Sequence, residues 1–260
     1  MMIIDEDIEE YHARPDVSSS KLRSFIKAGP RAYQILYVLR KIKQKTTAAM
    51  KKGNDFEDAL CGRREIAYVP DGMKLSTKAG IAWKQENEGS IIVSNSDRSL
   101  YEYGLQHLRE LGEWGLVEGA VEQPTFRSEF AGLPGIQSRP DWYHAEKGTM
   151  IDLKTTESLD RFRFSVEDSL YHVQADLFRR ASGYKNTAHV LIVCEKRFPH
   201  RCRAVWLNEE YLNLGRAICD RYLEKLAKCY ASDLWPLVEI DSITLGPPPG
   251  AFGSELLLDS

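Results

Sequence analysis

The sequence lacks the short motifs that identify several common classes of enzyme. It has no CxxC pair, no GxSxG, no P-loop and no GxGxxG after a strand-like segment. Zinc ribbons, α/β-hydrolases, P-loop nucleotidases and dinucleotide-binding folds are therefore not indicated. The odd number of cysteines also supports no disulfide framework. We expect free thiols at Cys61, Cys194, Cys202, Cys219 and Cys229.

Long apolar runs, a signal-peptide pattern and an excess of positive charge are missing as well. The N-terminal stretch MMIIDEDIEEYHARPD is acidic, unlike a secretory signal, and no run reaches the length of a membrane span. We therefore expect a cytoplasmic protein with no membrane partner. The formal net charge is −3, so no overall positive field indicates a nucleic-acid partner, although a local basic groove stays compatible with it.

The composition is that of a globular protein, with 43% hydrophobic and 28% charged residues in 260. Up to residue 118 the apolar spacing is mainly helical. Residues 119–245 begin with strand-length pieces separated by Gly and Pro, a pattern that predicts an antiparallel meander. An amphipathic helix, a buried strand and a long closing helix follow. This order predicts an α/β fold, with a central mixed sheet flanked by helices and an N-terminal helical region. We expect one domain over residues 1–260, with a tail at 246–260.

The stretch SRPDWYHAEKGTMIDLKTT contains the pattern with the most chemical content. If IDLKTT is a strand, Asp152 and Lys154 point to one face while Ile151 and Leu153 point to the other. A hairpin turn upstream would bring Asp141 close to Asp152. Two carboxylates and a lysine at one point suit a hard divalent cation that keeps several waters. Lys154 could then orient or help deprotonate a water, or neutralise developing phosphate charge, as phosphodiester hydrolysis requires.

The same spacing has a simpler interpretation. Aspartate after proline is common in turns, and Asp-x-Lys occurs on exposed strands. From the residues alone, both a solvated hairpin and a metal site remain open.

The pattern RPDW…IDLKTT resembles the P-D…(D/E)-x-K signature of the PD-(D/E)XK nuclease superfamily. More narrowly, the chain is similar to the RecE-type (exonuclease VIII) nuclease domain, which is related to RecB-type nucleases and lambda exonuclease. VSSSKLRSFIKAGPRAY, LSTKAGIAW, YHVQADLF and VCEKRFPHRCRAVWL resemble further family segments in the same order. The resemblance extends from about Val17 to Leu207 and implies a restriction-endonuclease-like core.

The resemblance implies roles at the matching positions. Asp141 and Asp152 would be metal ligands, with the Leu153 carbonyl as a third donor, and Lys154 would be the catalytic lysine. Glu122 stands where relatives often have an acid that ligates or supports a second metal, although an exposed strand-end acid explains it equally well.

Gln174 matches a glutamine that in relatives positions the active site or DNA, whereas Tyr171 is expected to pack. One position departs from the family. Relatives have G-x-x-x-H with a metal-binding histidine, and this chain has Gly53 followed by Glu57. A carboxylate binds Mg²⁺ readily, so Glu57 is a candidate ligand, but the substitution is also compatible with weakened catalysis or a plain helix-surface acid.

The resemblance further implies Mg²⁺ or Mn²⁺ as cofactor and double-stranded DNA as substrate. It implies degradation from the 5′ end, a single-strand annealing partner in recombination in a phage or prophage setting, and a toroidal homo-oligomer. Two alternatives stay open: a catalytically weakened DNA-binding or assembly protein, and a structure-directed endonuclease. Candidate phosphate contacts are Arg139, Arg161, Arg163, Arg179, Arg180, Lys196, Arg197, Arg201 and the segment 40–52.

Overall fold

The computed structural model describes residues 3–4, 6–42, 47–184 and 187–237. The expected tail at 246–260 lies outside these residues. The helices are α1 Ile8–Ala13, α2 Ser19–Tyr33, α3 Ala48–Leu60, α4 Lys78–Glu86, α5 Leu105–Arg109, α6 Trp114–Glu118, α7 Phe162–Asp168, α8 Tyr171–Ser182 and α9 Glu209–Ser232. The strands are β1 Ile66–Tyr68, β2 Ile91–Val93, β3 Val121–Glu122, β4 Phe126–Ser128, β5 Ile136–Ser138, β6 Trp142–His144, β7 Thr149–Thr156, β8 Ala188–Glu195 and β9 Cys202–Trp206.

A five-stranded mixed sheet with the order β3-β6-β7-β8-β9 forms the centre of the fold. β7 and β8 are parallel, and the other neighbours are antiparallel. Parallel strands need a long crossover, and here α7 and α8 lie between β7 and β8 along the chain. β4 and β5 pair in a separate two-stranded sheet, so the expected continuous meander is divided between two sheets.

The N-terminal part contains one element that the helical pattern did not indicate. β1 and β2 form a parallel two-stranded sheet, with Ile66 opposite Ile91. Two helices of this part begin at recognisable side-chain caps, Ser18 for α2 and Thr47 for α3. Two π-helical turns, Gln34–Val38 and Leu100–Gly104, extend or precede α-helices. Among the helices of the described ranges, none is both long enough and apolar enough to cross a bilayer.

Strand β7 has a different environment on each face. Ile151 and Leu153 belong to the apolar cluster that contains Phe56 of α3. Met150, which points the opposite way, packs in the cluster with residues of α2, α8 and α9. Since side chains alternate along a strand, Asp152 and Lys154 lie on the same face as Met150 and point toward α8. The prediction that they lie opposite Ile151 and Leu153 is therefore confirmed.

Candidate active site

Asp141 and Asp152 are brought together by the β6–β7 hairpin. Trp142 pairs with Ile151, so Asp141 lies just before β6 and beside Asp152. The Asp141 Oδ2 atom accepts a hydrogen bond of 2.6 Å from the Leu153 amide, which fixes the carboxylate against β7. We call Asp141 and Asp152 the acid pair.

Asp152 is 2% exposed and is surrounded by three polar side chains. Its Oδ1 atom accepts from Gln174 Nε2 at 3.2 Å and lies 3.3 Å from Lys154 Nζ. His189 Nε2 lies 3.2 Å from Oδ2, but the two atoms are not aligned as a hydrogen bond. Oδ2 therefore has no hydrogen-bond partner among the described residues. A buried carboxylate oxygen is costly to leave unsatisfied, so Oδ2, which lies beside His189, needs a further donor or a cation.

Lys154 is held between the acid pair and an aromatic ring. Its Nζ atom lies 5.3 Å from the centre of the Tyr171 ring on α8, within cation–π distance. Burial on its own would lower the pKa of Lys154, but the carboxylates of Asp152 and Asp141 outweigh it and raise the pKa. Lys154 is therefore a cation at neutral pH. This charge favours the orienting or charge-neutralising role over removal of a proton from water.

The environments of the two acids move their pKa values in opposite directions. Burial raises the pKa of Asp141 well above its usual value, and the negative charges of Glu57 and Asp152 add to the rise. Burial would also raise the pKa of Asp152, but Lys154 and His189 hold it below its usual value. Mutual repulsion between two neighbouring acids, one of them buried, is the condition that a bound cation relieves.

The donor set fits a hard divalent cation. In the described part of the chain, no three His, Cys, Asp or Glu side chains are gathered as a complete metal cage. Mg²⁺ needs less, because it binds through one or two carboxylates and keeps several waters. The carboxylates of Asp152, whose Oδ2 accepts no hydrogen bond from the described residues, and of Asp141 meet that requirement. The Leu153 carbonyl stays a predicted third donor.

Glu57 reaches the edge of the site, and Arg63 joins it to Glu122. Arg63 Nη2 contacts Glu57 Oε1 at 2.7 Å, Nε contacts Asp58 Oδ1 at 2.8 Å, and Nη1 pairs with Glu122. Glu57 is also close enough to raise the pKa of Asp141. Glu122 lies on the exposed edge strand β3, and its described partner is Arg63 rather than the acid pair. Ligand roles for Glu57 and Glu122 stay predictions.

Gln123 connects Glu57 to Asp141. Its backbone amide donates to the Asp141 carbonyl at 2.9 Å, and its side-chain Nε2 donates to Glu57 Oε1 at 2.9 Å. Its φ of 45° lies in the left-handed region, which is unfavourable for a residue with a side chain. Arg139 Nη2 donates to its Oε1 at 3.3 Å and so orients the amide.

The sequence interpretation did not identify His189, Arg63 or Gln123 as part of the site. His189 interrupts the apolar run AHVLIVCE on a strand buried on both faces, and that isolated polar residue is the signal that could have found it. Arg63 lies six residues after Glu57, beyond the end of α3, and this spacing matches no known motif. Only folding shows which acids it joins.

Most of the predicted phosphate-binding cations have partners within the protein. Arg179 and Arg180 both pair with the buried Asp176, at 2.6 and 2.5 Å. Lys196 pairs with Glu157, and Arg201 pairs with Glu195 at 2.8 Å. These side chains are therefore not a ready-made set of free charges around Asp152.

Asp141→Asn is expected to stabilise the metal-free protein. A raised pKa means that folding favours the protonated acid, so ionised Asp141 costs stability, and this cost grows as the pH rises through the folded-state pKa. Asparagine removes the charge and keeps an oxygen to accept from Leu153. Each kcal/mol gained should raise the Tm by about 2–4 °C in calorimetry with a chelator present. The difference from wild type should shrink at acidic pH; a lower Tm for the variant at neutral pH would contradict this account.

Comparison with known proteins gives one family and a fold. Residues 18–243 match the family described as a PDDEXK-like domain of unknown function (DUF3799). No curated protein matches the chain.

Two solved structures resemble this one. A protein from Eubacterium rectale described as a "putative exonuclease" has 13% identity and a TM-score of 0.64, with 94% of this chain and 96% of that chain covered. A phage-related exonuclease from Haemophilus somnus has 12% identity and a TM-score of 0.36, with 84% and 96% covered, a similarity too weak to support a structural argument. The first similarity confirms the predicted mixed α/β fold class. Because the matched segment spans most of the sequence, the chain belongs to the family of PDDEXK-like domains of unknown function.

Proposed function

We propose that this protein is a Mg²⁺-dependent deoxyribonuclease. The supporting observation is the buried Asp152, which has one carboxylate oxygen without a hydrogen bond among the described residues, Asp141 beside it and the Lys154 ammonium 3.3 Å from its other oxygen. In a family of PDDEXK-like domains, these three residues occupy the P-D…D-x-K pattern in sequence and converge in space.

Hydrolysis of a phosphodiester needs an attacking water, charge neutralisation on the phosphate and a proton for the leaving oxygen. A bound divalent cation would polarise the phosphate and lower the pKa of a coordinated water. Asp141 and Asp152 would hold that cation. Lys154, kept charged by the acid pair, would orient the water and offset negative charge as the water oxygen bonds to phosphorus. The attacking water would give up a proton to solvent, the P–O3′ bond would break, and the 3′ oxygen would take up a proton from solvent.

Gln174 and His189 would position Asp152 rather than touch the phosphate. Gln174 Nε2 binds Oδ1, and His189 lies against Oδ2 from the next strand. Side chains of this kind fix the direction of a metal-binding carboxylate. The oxygen-rich donor set favours Mg²⁺, with Mn²⁺ as an effective substitute.

The substrate is proposed to be linear double-stranded DNA, degraded from its 5′ end in the manner of RecE-type exonucleases. The sequence resemblance supports this choice, and the E. rectale neighbour's description is consistent with it. The same resemblance supports a single-strand annealing protein as partner and a toroidal assembly of this chain.

The proposal is tested by incubating purified protein with end-labelled linear duplex and closed circular DNA, in Mg²⁺ or EDTA. Asp152→Ala and Lys154→Ala are assayed in parallel. Progressive loss of linear DNA only, abolished by EDTA and by either substitution, is the expected result. Substrates labelled at the 5′ end or at the 3′ end show from which end the DNA is degraded.

Other results would support other functions. Nicked circles would indicate an endonuclease. Undigested DNA that shifts on a gel would indicate a DNA-binding protein without nuclease activity. That second candidate is favoured by one observation, the replacement of the family histidine by Glu57, whose carboxylate is already paired with Arg63.

Glu57→Ala is expected to reduce cleavage more strongly at limiting than at saturating Mg²⁺, because Glu57 adds negative charge beside Asp141. Asp58→Ala is the matched control, since Asp58 also pairs with Arg63 but is not one of the main charges that raise the pKa of Asp141. Rates measured across a Mg²⁺ titration compare the variants. An unchanged rate for Glu57→Ala at limiting Mg²⁺ would remove Glu57 from the site.

A further inference from the structure

Arg23 is a partly buried cation on α2 that the sequence interpretation did not identify. Helix α2 packs against α8 and α9, and Lys27, one turn beyond Arg23, donates to the carbonyl of Asp168 just before α8. Residues four apart lie on the same helix face, so Arg23 also points toward the start of α8. Tyr171, the first residue of α8, carries Lys154 over its ring.

The guanidinium of Arg23 lies within electrostatic reach of the candidate site but has no bonded partner there. Its Nε atom is buried and makes no hydrogen bond to any residue that the structure describes. Burial lowers the pKa of Arg23, while Tyr171, Asp152 and Tyr37 act in the opposite direction. Asp152 is contacted by Lys154, Gln174 and His189, and no ion pair joins it to Arg23.

Two other arginines near the site, Arg63 and Arg139, are engaged by the protein itself. Arg63 is held by three acids, and Arg139 donates to the Glu6 carbonyl, Thr125 and Gln123. A buried N–H group of a charged side chain is costly without a partner, and a protein tolerates it where a ligand supplies the acceptor. The unpartnered Nε of Arg23 therefore calls for an anion beside this guanidinium, on the side of α2 from which it acts on Tyr171 and Asp152.

We propose that Arg23 binds the scissile phosphate of the DNA from the α2 side, opposite the acid pair. This inference rests on the proposed function, since it concerns the substrate of the same site. A guanidinium presents two parallel N–H donors that match two non-bridging phosphate oxygens, which an ammonium cannot do. Arg23 and Lys154 together would balance the charge of the phosphate.

The first test is the combination of activity and stability in Arg23→Met. The cleavage rate at saturating DNA should fall about 10²-fold, the usual effect of removing one donor to a charged transition state. The Tm should stay equal or rise, because the variant removes an unpaired buried charge; a structural role would lower it. The cleavage rate of Arg23→Lys should lie between those of wild type and Arg23→Met. Arg31→Gln, which removes one positive charge from an exposed position of the same helix, should change the rate little.

A second test needs no cleavage. Affinity is measured by fluorescence anisotropy in Ca²⁺ for a duplex whose first 5′ phosphodiester is either normal or a neutral methylphosphonate. Wild type and Arg31→Gln should bind the neutral duplex more weakly, while Arg23→Met should bind both duplexes equally, because the lost contact is the same one. The slope of log affinity against log salt should fall by about 0.9 for Arg23→Met on normal DNA.

The outcomes separate this inference from the proposed function. If wild type cleaves DNA and Arg23→Met matches Arg31→Gln in rate and in both binding measurements, the Arg23 inference is wrong and the nuclease proposal stands. If wild type does not cleave, the nuclease proposal fails. The phosphate contact is then judged from binding alone: it is rejected if the neutral linkage weakens DNA binding by the same factor in wild type and in Arg23→Met.

Discussion

Asp152→Asn is expected to reduce DNA hydrolysis by on the order of 10³-fold while the chain stays folded. Asparagine keeps the shape of the side chain but loses the charge that holds a cation and pairs with Lys154. A metal ion that polarises a phosphate contributes several kcal/mol to transition-state stabilisation, and each 1.36 kcal/mol is about tenfold in rate. Single-turnover cleavage of a labelled duplex at saturating protein measures the effect without a contribution from DNA affinity.

Asp176→Asn is the matched control for that experiment. Asp176 is also a buried acid, 3% exposed, and it lies on α8 two residues after Gln174. It pairs with Arg179 and Arg180 and not with the acid pair. We expect this variant to lose stability but to retain its cleavage rate per folded molecule. Equal loss of activity in both variants would show that removing any buried acid disrupts the fold, and would contradict a specific role for Asp152.

Gly215→Ala is expected to destabilise the protein by about 3 kcal/mol, at the upper end of the usual cost of overpacking. Gly215 lies on α9 where this helix crosses α8. A Cβ atom there would collide with the carbonyl oxygen of His172 and come within 2.6 Å of its carbonyl carbon. Backbone cannot move aside as a side chain can, so the two helices would have to separate. Equilibrium urea unfolding measures the change, and the Tm should fall by roughly 6–12 °C.

Gly53→Ala, the same substitution on another helix, is expected to stabilise the protein instead. Gly53 lies within α3, and a Cβ atom there would meet nothing within 4 Å. Alanine is a better helix former than glycine, so this variant should gain roughly 0.5–1 kcal/mol. If Gly215→Ala were as stable as Gly53→Ala, the described packing of α8 on α9 would be wrong.

Local patterns were sufficient to predict the hairpin that carries the acid pair. The alternation of Ile151, Asp152, Leu153 and Lys154 fixes which side chains share a face, because the period of a strand is two residues. The Gly148 turn then limits where Asp141 can lie. The buried run AHVLIVCE likewise predicted β8, whose neighbours cover both of its edges.

Long-range partners could not be predicted in this way. Arg63 forms ion pairs with both Glu57 and Glu122, which are 65 positions apart in the sequence. Nothing in either local stretch predicts that these side chains share a partner. His189 reaches Asp152 only because β8 is parallel to β7 in a register that places it opposite Met150. β1 and β2 were missed for a related reason, since strands of three residues are too short to show a period.

Iron-directed cleavage of the polypeptide tests the central claim most directly. Fe²⁺ can replace Mg²⁺ at an oxygen site, and with ascorbate and peroxide it generates radicals that cut the backbone next to the bound ion. The account predicts cuts near Asp141 and Leu153, suppressed by excess Mg²⁺ and absent in Asp152→Asn. Cuts confined to other segments, or cuts near Asp141 that persist unchanged in Asp152→Asn, would contradict a cation held by the acid pair.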